Sequence, residues 1–280
     1  MKSKLVLIAA WSLCLVSVAA AGEWQKSADL GLMFSQSGYS GSWAGSELGS
    51  VVWTFSGDVA AQKDLNASTN WKNTLKLTYG QTHQERETAA GKAWASPLKS
   101  TDRIFLESLM RFGVERPITP YVAFAAETQF HDGDKNPLTP ALLTESAGVG
   151  RQLVKNETTD LTTRVGLGVR QRTAYRVATV QDAGLEWVSD LTHTFNPQLN
   201  VVSKLRVFQA VTSSLKDDLA GTPGEDDWQG TDVALETKFS AQVSKYIQTT
   251  LFLEWLYDRE ISDRGRWREI FGFGVTYKLF

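Results

Sequence analysis

Apolar and polar residues alternate with a period of two in stretch after stretch of this chain. The last stretch shows it best. Over residues 266–280, Trp267, Phe271, Phe273, Val275, Tyr277 and Leu279 share one parity. Arg268, Gly272, Gly274, Thr276 and Lys278 take the other, with Ile270 as its apolar exception. That period predicts a strand with one greasy and one polar face. The same pattern predicts earlier strands over 26–36, 48–59, 69–82, 100–115, 121–130, 142–154, 160–171, 180–195, 198–211, 230–243 and 246–257.

Together these make twelve strands and an all-β chain. The connections also sort by parity. Those after odd strands tend to be long (37–47, 83–99, 132–140, 212–229), whereas those after even strands are mostly short and rich in Pro, Asn and Lys. A soluble β-sandwich has no reason to sort its loops in this way. A transmembrane antiparallel β-barrel of about twelve strands does, with long loops outside and short turns on the periplasmic side. A soluble periplasmic β-sandwich that binds a ligand is the alternative fold.

The N-terminus changes the picture next. Lys2 and Lys4 precede an apolar run, Leu5 to Val18, and then Ala19-Ala20-Ala21. This reads as a cleaved signal peptide over residues 1–21, leaving 22–280 as one barrel domain. Cys14, the one cysteine, falls inside it, so the mature chain has no disulfide and no thiolate nucleophile. Without Lys2 and Lys4 there remain 27 basic residues against 31 acidic, and no basic patch points to nucleic acid. Nine of the ten tryptophans remain, many near strand ends, where interfacial aromatic girdles need them.

Several segments resemble one family of bacterial outer-membrane barrels, the domain of unknown function 3078. They are FSQSGYSGSW (34–43), STDRIFLES (100–108), NPLTPALLTESAGVG (136–150), GLEWVSDL (184–191) and the closing GVTYKLF (274–280). The first departs from the family pattern, with Ser42 where an Asn precedes the Trp. The resemblance implies fold and location in the bacterial outer membrane. It implies no activity, catalytic residues or cofactor.

If the apolar faces meet lipid, the polar parity fills the barrel interior. It would hold Arg103, Arg111, Arg164, Arg170, Lys204, Arg206, Lys238 and Arg268, with Glu107, Glu127, Glu186, Asp190, Asp232, Glu236 and Glu254. Charges of both signs in a narrow lumen should pair. The expected function is therefore structural, or a narrow small-solute pore with a salt-bridged lumen. Its expected partners are outer-membrane lipid, lipopolysaccharide and the barrel assembly machinery. The glycine pairs Gly148/Gly150, Gly166/Gly168 and Gly272/Gly274 share this inward parity and suggest curvature, with a groove as the alternative.

HDGDKNP (131–137) starts like a calcium loop, but Pro137 and Leu143 stand where Gly and Glu are needed. No metal or cofactor is expected. A lipid-modifying enzyme is the alternative from another class. It needs a nucleophile and base at the outer rim, and the three histidines, His83, His131 and His193, suggest none. Asn66-Ala-Ser68 and Asn156-Glu-Thr158 read as turns.

Overall fold

The computed structural model describes residues 22–40, 47–89 and 91–279. The expected leader, residues 1–21, lies outside them, as does Phe280. The strands are β1 (Gln25–Ser37), β2 (Ser50–Asn66), β3 (Thr69–Thr88), β4 (Gly91–Trp94), β5 (Leu98–Phe112), β6 (Thr119–Thr128) and β7 (Ala141–Lys155). Then follow β8 (Thr159–Thr173), β9 (Val180–Asn196), β10 (Leu199–Ser213), β11 (Thr231–Gln242), β12 (Ile247–Asp258) and β13 (Ser262–Lys278).

All but β4 form one ring. Each strand pairs antiparallel with the next, and β13 returns to pair with β1, setting Leu30 opposite Tyr277 and Leu32 opposite Val275. Closure gives every strand of the ring two neighbours. In lipid this is the requirement, because an open edge would leave N–H and C=O groups with no water to satisfy them.

The exterior is apolar and the interior charged, the reverse of a soluble domain. Val165, Leu167 and Val169 on β8 and Phe271, Phe273 and Val275 on β13 all face outward and are exposed. Between them, Arg164 on β8 is buried, as are Glu107 on β5, Lys204 on β10, Glu236 on β11 and Glu254 on β12. Aromatic groups cluster on the outer surface toward both ends. At one rim the Trp24 and Trp71 rings lie 5.5 Å apart, with the Lys63 ammonium 5.8 Å from the Trp24 ring. At the other, Tyr79 touches both Trp53 (5.9 Å) and Phe130 (5.7 Å), and Trp255 stacks with Tyr257 at 6.5 Å. A closed antiparallel ring of twelve strands with this exterior is an outer-membrane β-barrel.

One rim carries the short turns. Three of them are built on an asparagine. The Asn66 side-chain oxygen accepts the Ser68 N–H, that of Asn156 accepts the N–H groups of Thr158 and Thr159, and that of Asn196 accepts those of Gln198 and Leu199. The side chain thus satisfies turn N–H groups that the sheet cannot reach. The two Asn-X-Ser/Thr sequences are turns for this reason.

The structure departs from the expected strand limits mainly on β2 and β3. β2 continues through residues read as a turn, reaching Asn66. β3 continues to Thr88, and β4 folds back on it within the stretch read as a loop. Polar residues can extend a hairpin beyond the membrane because water solvates both faces there, so alternation no longer marks the strand. The long connection after β10 contains a four-residue helix, Lys216–Leu219, and a 3-10 turn at Asp227–Gln229 with Trp228 buried.

The facing of β12 has a direct test. Leu251 lies mid-strand on the outward parity, whereas Gln248 lines the interior near the short-turn rim. We expect Leu251→Arg to destabilise the barrel folded in liposomes by about 2–4 kcal/mol, and Gln248→Arg to have a far smaller effect. Denaturant titrations of both variants measure the difference; equal tolerance would contradict the facing.

Candidate functional site in the barrel lumen

The inward parity of nine strands delivers charged side chains to the lumen, where they converge in three groups. The first lies between β5, β8, β9 and β10. Glu107 accepts from the Arg164 guanidinium and, at 2.8 Å, from the Lys204 ammonium. Lys204 also reaches Asp190 at 3.2 Å, and Arg164 lies 3.9 Å from the same carboxylate.

The second group spans the middle of the lumen. Arg103 donates to Glu236 (2.5 Å) and is ion-paired with Glu127 at 2.8 Å and Glu254 at 3.8 Å. Arg206 donates to Glu127 at 2.8 Å and approaches Glu236 at 3.4 Å. Lys76 is a third cation on Glu236, at 3.6 Å, and Arg268 holds Glu254 at 2.8 Å. The fully buried Phe105 ring lies under this group, with the cationic ends of Lys76, Arg103, Lys204 and Arg206 all 5.0–5.9 Å from its centre. A ring face offers such cations favourable electrostatics without adding a further anion.

The third group stands toward the long-loop rim. Arg170 pairs with Asp232 at 2.7 Å and stacks 3.8 Å from the centre of the Phe208 ring. Arg172 is shared by three carboxylates: Asp182 (2.9 Å), Glu260 (2.5 Å) and Asp258 (3.8 Å). Outside these groups, on the short-turn side, Lys238 reaches Asp58 on β2 at 2.5 Å.

Of the charges expected inside, Arg111 and Glu186 stand apart from these pairs. Arg111 donates to the Asn70 side chain at 2.7 Å. Glu186 is only 6% exposed and makes no hydrogen bond or ion pair with any described residue. The structure also brings in residues outside the expected set: Lys76, Asp58, Arg172, Asp182, Asp258, Glu260, and the aromatic rings of Phe105 and Phe208.

The inward glycines make room for neighbours. A Cβ on Gly166 would lie 2.7 Å from the Tyr121 hydroxyl, and one on Gly168 would lie 3.2 Å from the Phe208 ring. These bare wall positions let large side chains from nearby strands lie flat against the barrel.

Cavities flank the central group on both sides. One, of about 380 Å³, opens toward the short-turn rim and is lined by hydroxyl and amide side chains such as Thr54, Ser56, Thr250 and Gln248. The other, of about 670 Å³, lies toward the long-loop rim among Glu186, Asp232, Asp258, Leu142 and Leu256. Arg103 and Arg268 line both, so the central group forms the partition between them.

Other candidate chemistry resolves locally. Asp132 accepts from the backbone N–H groups of Asp134 and Asn136 and from the Asn136 amide, at 2.8–2.9 Å. The Asn136 amide, with those N–H groups, holds this carboxyl below its usual range. Both oxygens are thus engaged in the turn. His131 sits in the same loop, bridged to Pro137, and not on an inward strand position. His193 shares a hydrogen bond of 2.7 Å with the Thr159 hydroxyl and meets the Phe195 ring edge-on at 4.5 Å. That pair sits at the short-turn rim, away from the outer rim where a lipid-modifying site was considered.

The ion pairs differ sharply in what they contribute. Glu107, Arg164 and Lys204 are all buried, so Glu107→Gln leaves two cations without their carboxylate. A loss of about 3–5 kcal/mol is expected, as for other buried pairs that lose one partner. Asp160→Asn touches only exposed contacts, the 3.9 Å ion pair with Lys155 and a 3.0 Å hydrogen bond from Gln152, and should cost less than about 1 kcal/mol. Denaturant titration of the two variants, with retention of the heat-modifiable gel shift as the fold check, tests the contrast.

Three solved structures are similar to this chain, each at 10% identity. The translocator domain of autotransporter NalP from Neisseria meningitidis has a TM-score of 0.37, over 94% of this chain and 90% of that one. The COG4313 outer membrane channel from Pseudomonas putida F1 has 0.42, over 93% and 96%. The β domain of the Bordetella autotransporter BrkA has 0.33, over 93% and 99%. The barrel assignment above rests on strand pairing and facing rather than on these likenesses. No curated protein sequence matches the chain. Residues 34–133 match the family model described as protein of unknown function (DUF3078), the family that the sequence segments resemble.

Proposed function

We propose that this barrel is a narrow passage for small polar solutes, held shut at its waist by the Arg103 group. The observation that carries the reading is the partition. Two cavities approach from opposite rims and meet at Arg103 and Arg268. Glu127, Glu236 and Glu254 hold Arg103 from three strands, so the closure is tied to opposite parts of the wall.

A twelve-stranded ring is intermediate in width between small barrels filled by side chains and water-filled porins. Long side chains across its middle leave little free section. Passage then depends on ion pairs exchanging partners, and Glu236, shared by three cations, is the natural exchange point. On this reading the partners are outer-membrane lipid, lipopolysaccharide and the machinery that inserts the barrel.

A merely structural barrel is the second reading, and conductance separates the two. In planar bilayers we expect the wild type to show small, rare steps. The double variant Arg103→Gln/Glu236→Gln removes the central cation and its closest carboxylate together. It should open more often and conduct more, with the barrel still resistant to unfolding in the gel-shift assay. A large, stable wild-type conductance would refute the closed waist. A folded double variant that stays silent would refute the passage.

A further inference from the structure

We propose that the larger cavity is a binding site for a linear organic cation, a diamine or polyamine, entering from the long-loop rim. The proposal starts from Glu186. Its side chain is nine-tenths buried, lines this cavity, and has no hydrogen-bond or ion-pair partner among the described residues. The arginines nearest in charge act on it only through space and are ion-paired elsewhere, Arg164 with Glu107 and Asp190, Arg170 with Asp232. A carboxylate with no ion pair, in a lumen where those of the three groups are all ion-paired, invites a cation from outside the chain.

A second surplus of negative charge lies nearer the rim. Arg172 alone serves Asp182, Asp258 and Glu260. Negative charge therefore stands at two levels of one cavity, the deep one at Glu186 and the shallow one around Asp258. The wall also contributes apolar side chains, Leu142 and Leu256, both inward-facing.

Spaced carboxylates with an apolar wall fit a molecule that carries spaced ammonium groups on a methylene chain. Each ammonium would donate to a carboxylate in charge-assisted hydrogen bonds, and the chain would lie against the leucines. A bare divalent ion suits the site less well. It asks for several oxygens at one point, and no group of three metal-binding side chains gathers among the described residues. The site does not require the partition to open, so it stands or falls independently of passage through the waist.

The test is equilibrium binding of spermidine to the full-length barrel, folded in detergent micelles, by calorimetry at low salt. We expect wild type to bind one equivalent. Glu186→Gln keeps the shape and removes the charge, and should weaken binding about tenfold or more. Glu186→Asp should restore part of it. Glu145→Gln, a change on the outward face, should leave it unaltered and serves as the fold-matched control. Absence of wild-type binding would overturn the proposal, as would full binding by folded Glu186→Gln. So would displacement of spermidine by an equal concentration of magnesium ion, since that describes a counter-ion atmosphere. Should Glu186→Gln not fold, Asp258→Asn at the shallow level is read in its place, with loss of affinity expected and unchanged affinity counting against the site.

Discussion

Lipid supplies no hydrogen bonds, and most of this structure follows from that constraint. Every backbone N–H and C=O that crosses the bilayer must be satisfied by the chain, so the strands must close. Closure is achieved where β13 returns to β1. Once the ring is closed, successive side chains are committed alternately to lipid and to lumen. Most apolar side chains take the first place and most charges the second. The lumen of a twelve-stranded ring is too narrow to solvate many charges separately, which forces them into pairs. The central ion-pair group is thus a consequence of closure, three steps removed.

Pairing inside a closed wall also explains why these contacts join distant parts of the chain. Arg103 and Glu236 are 133 positions apart in the chain yet share a bond of 2.5 Å. Lys238 and Asp58 are further apart still in sequence. Backbone pairing links each strand only to its two neighbours, so resistance to flattening of the ring must come from across the lumen. The ion pairs supply it, and the Phe105 and Phe208 rings support the cations between them.

The faces of the strands were legible because the pleat has a period of two and lipid tolerates few exceptions. From that alone the strand number, the ring and the side of each charge could be read. The partners could not. Nothing in the order of residues says that Glu107 meets Arg164 rather than Glu186, because both carboxylates face the same lumen and the choice depends on tilt and stagger. Phe105 and Phe208 were missed for a related reason. An aromatic residue on the inward parity looks like a lapse in the pattern until the cations lying over it are seen. Arg172 escaped because it lies one residue past the expected end of its strand, where alternation fades. β4 escaped because a hairpin in water needs no greasy face. The inward glycines had been read as curvature, and the contacts of Tyr121 and Phe208 with the wall show that they also give space.

Glu186 shows where pattern and energetics part. By parity it is one more inward charge, equivalent in role to Glu107 four strands round the wall. By geometry the two are opposites: Glu107 holds two cations and Glu186 holds none. A buried carboxylate without a partner is costly. Mere filling of the lumen would have been served as well by a glutamine, which carries no charge to desolvate. The carboxylate makes physical sense if the missing partner arrives from outside the chain. A binding role for the cavity explains its presence without further assumption about the barrel, whereas a purely structural lumen leaves it offset only through space, by arginines that are ion-paired elsewhere.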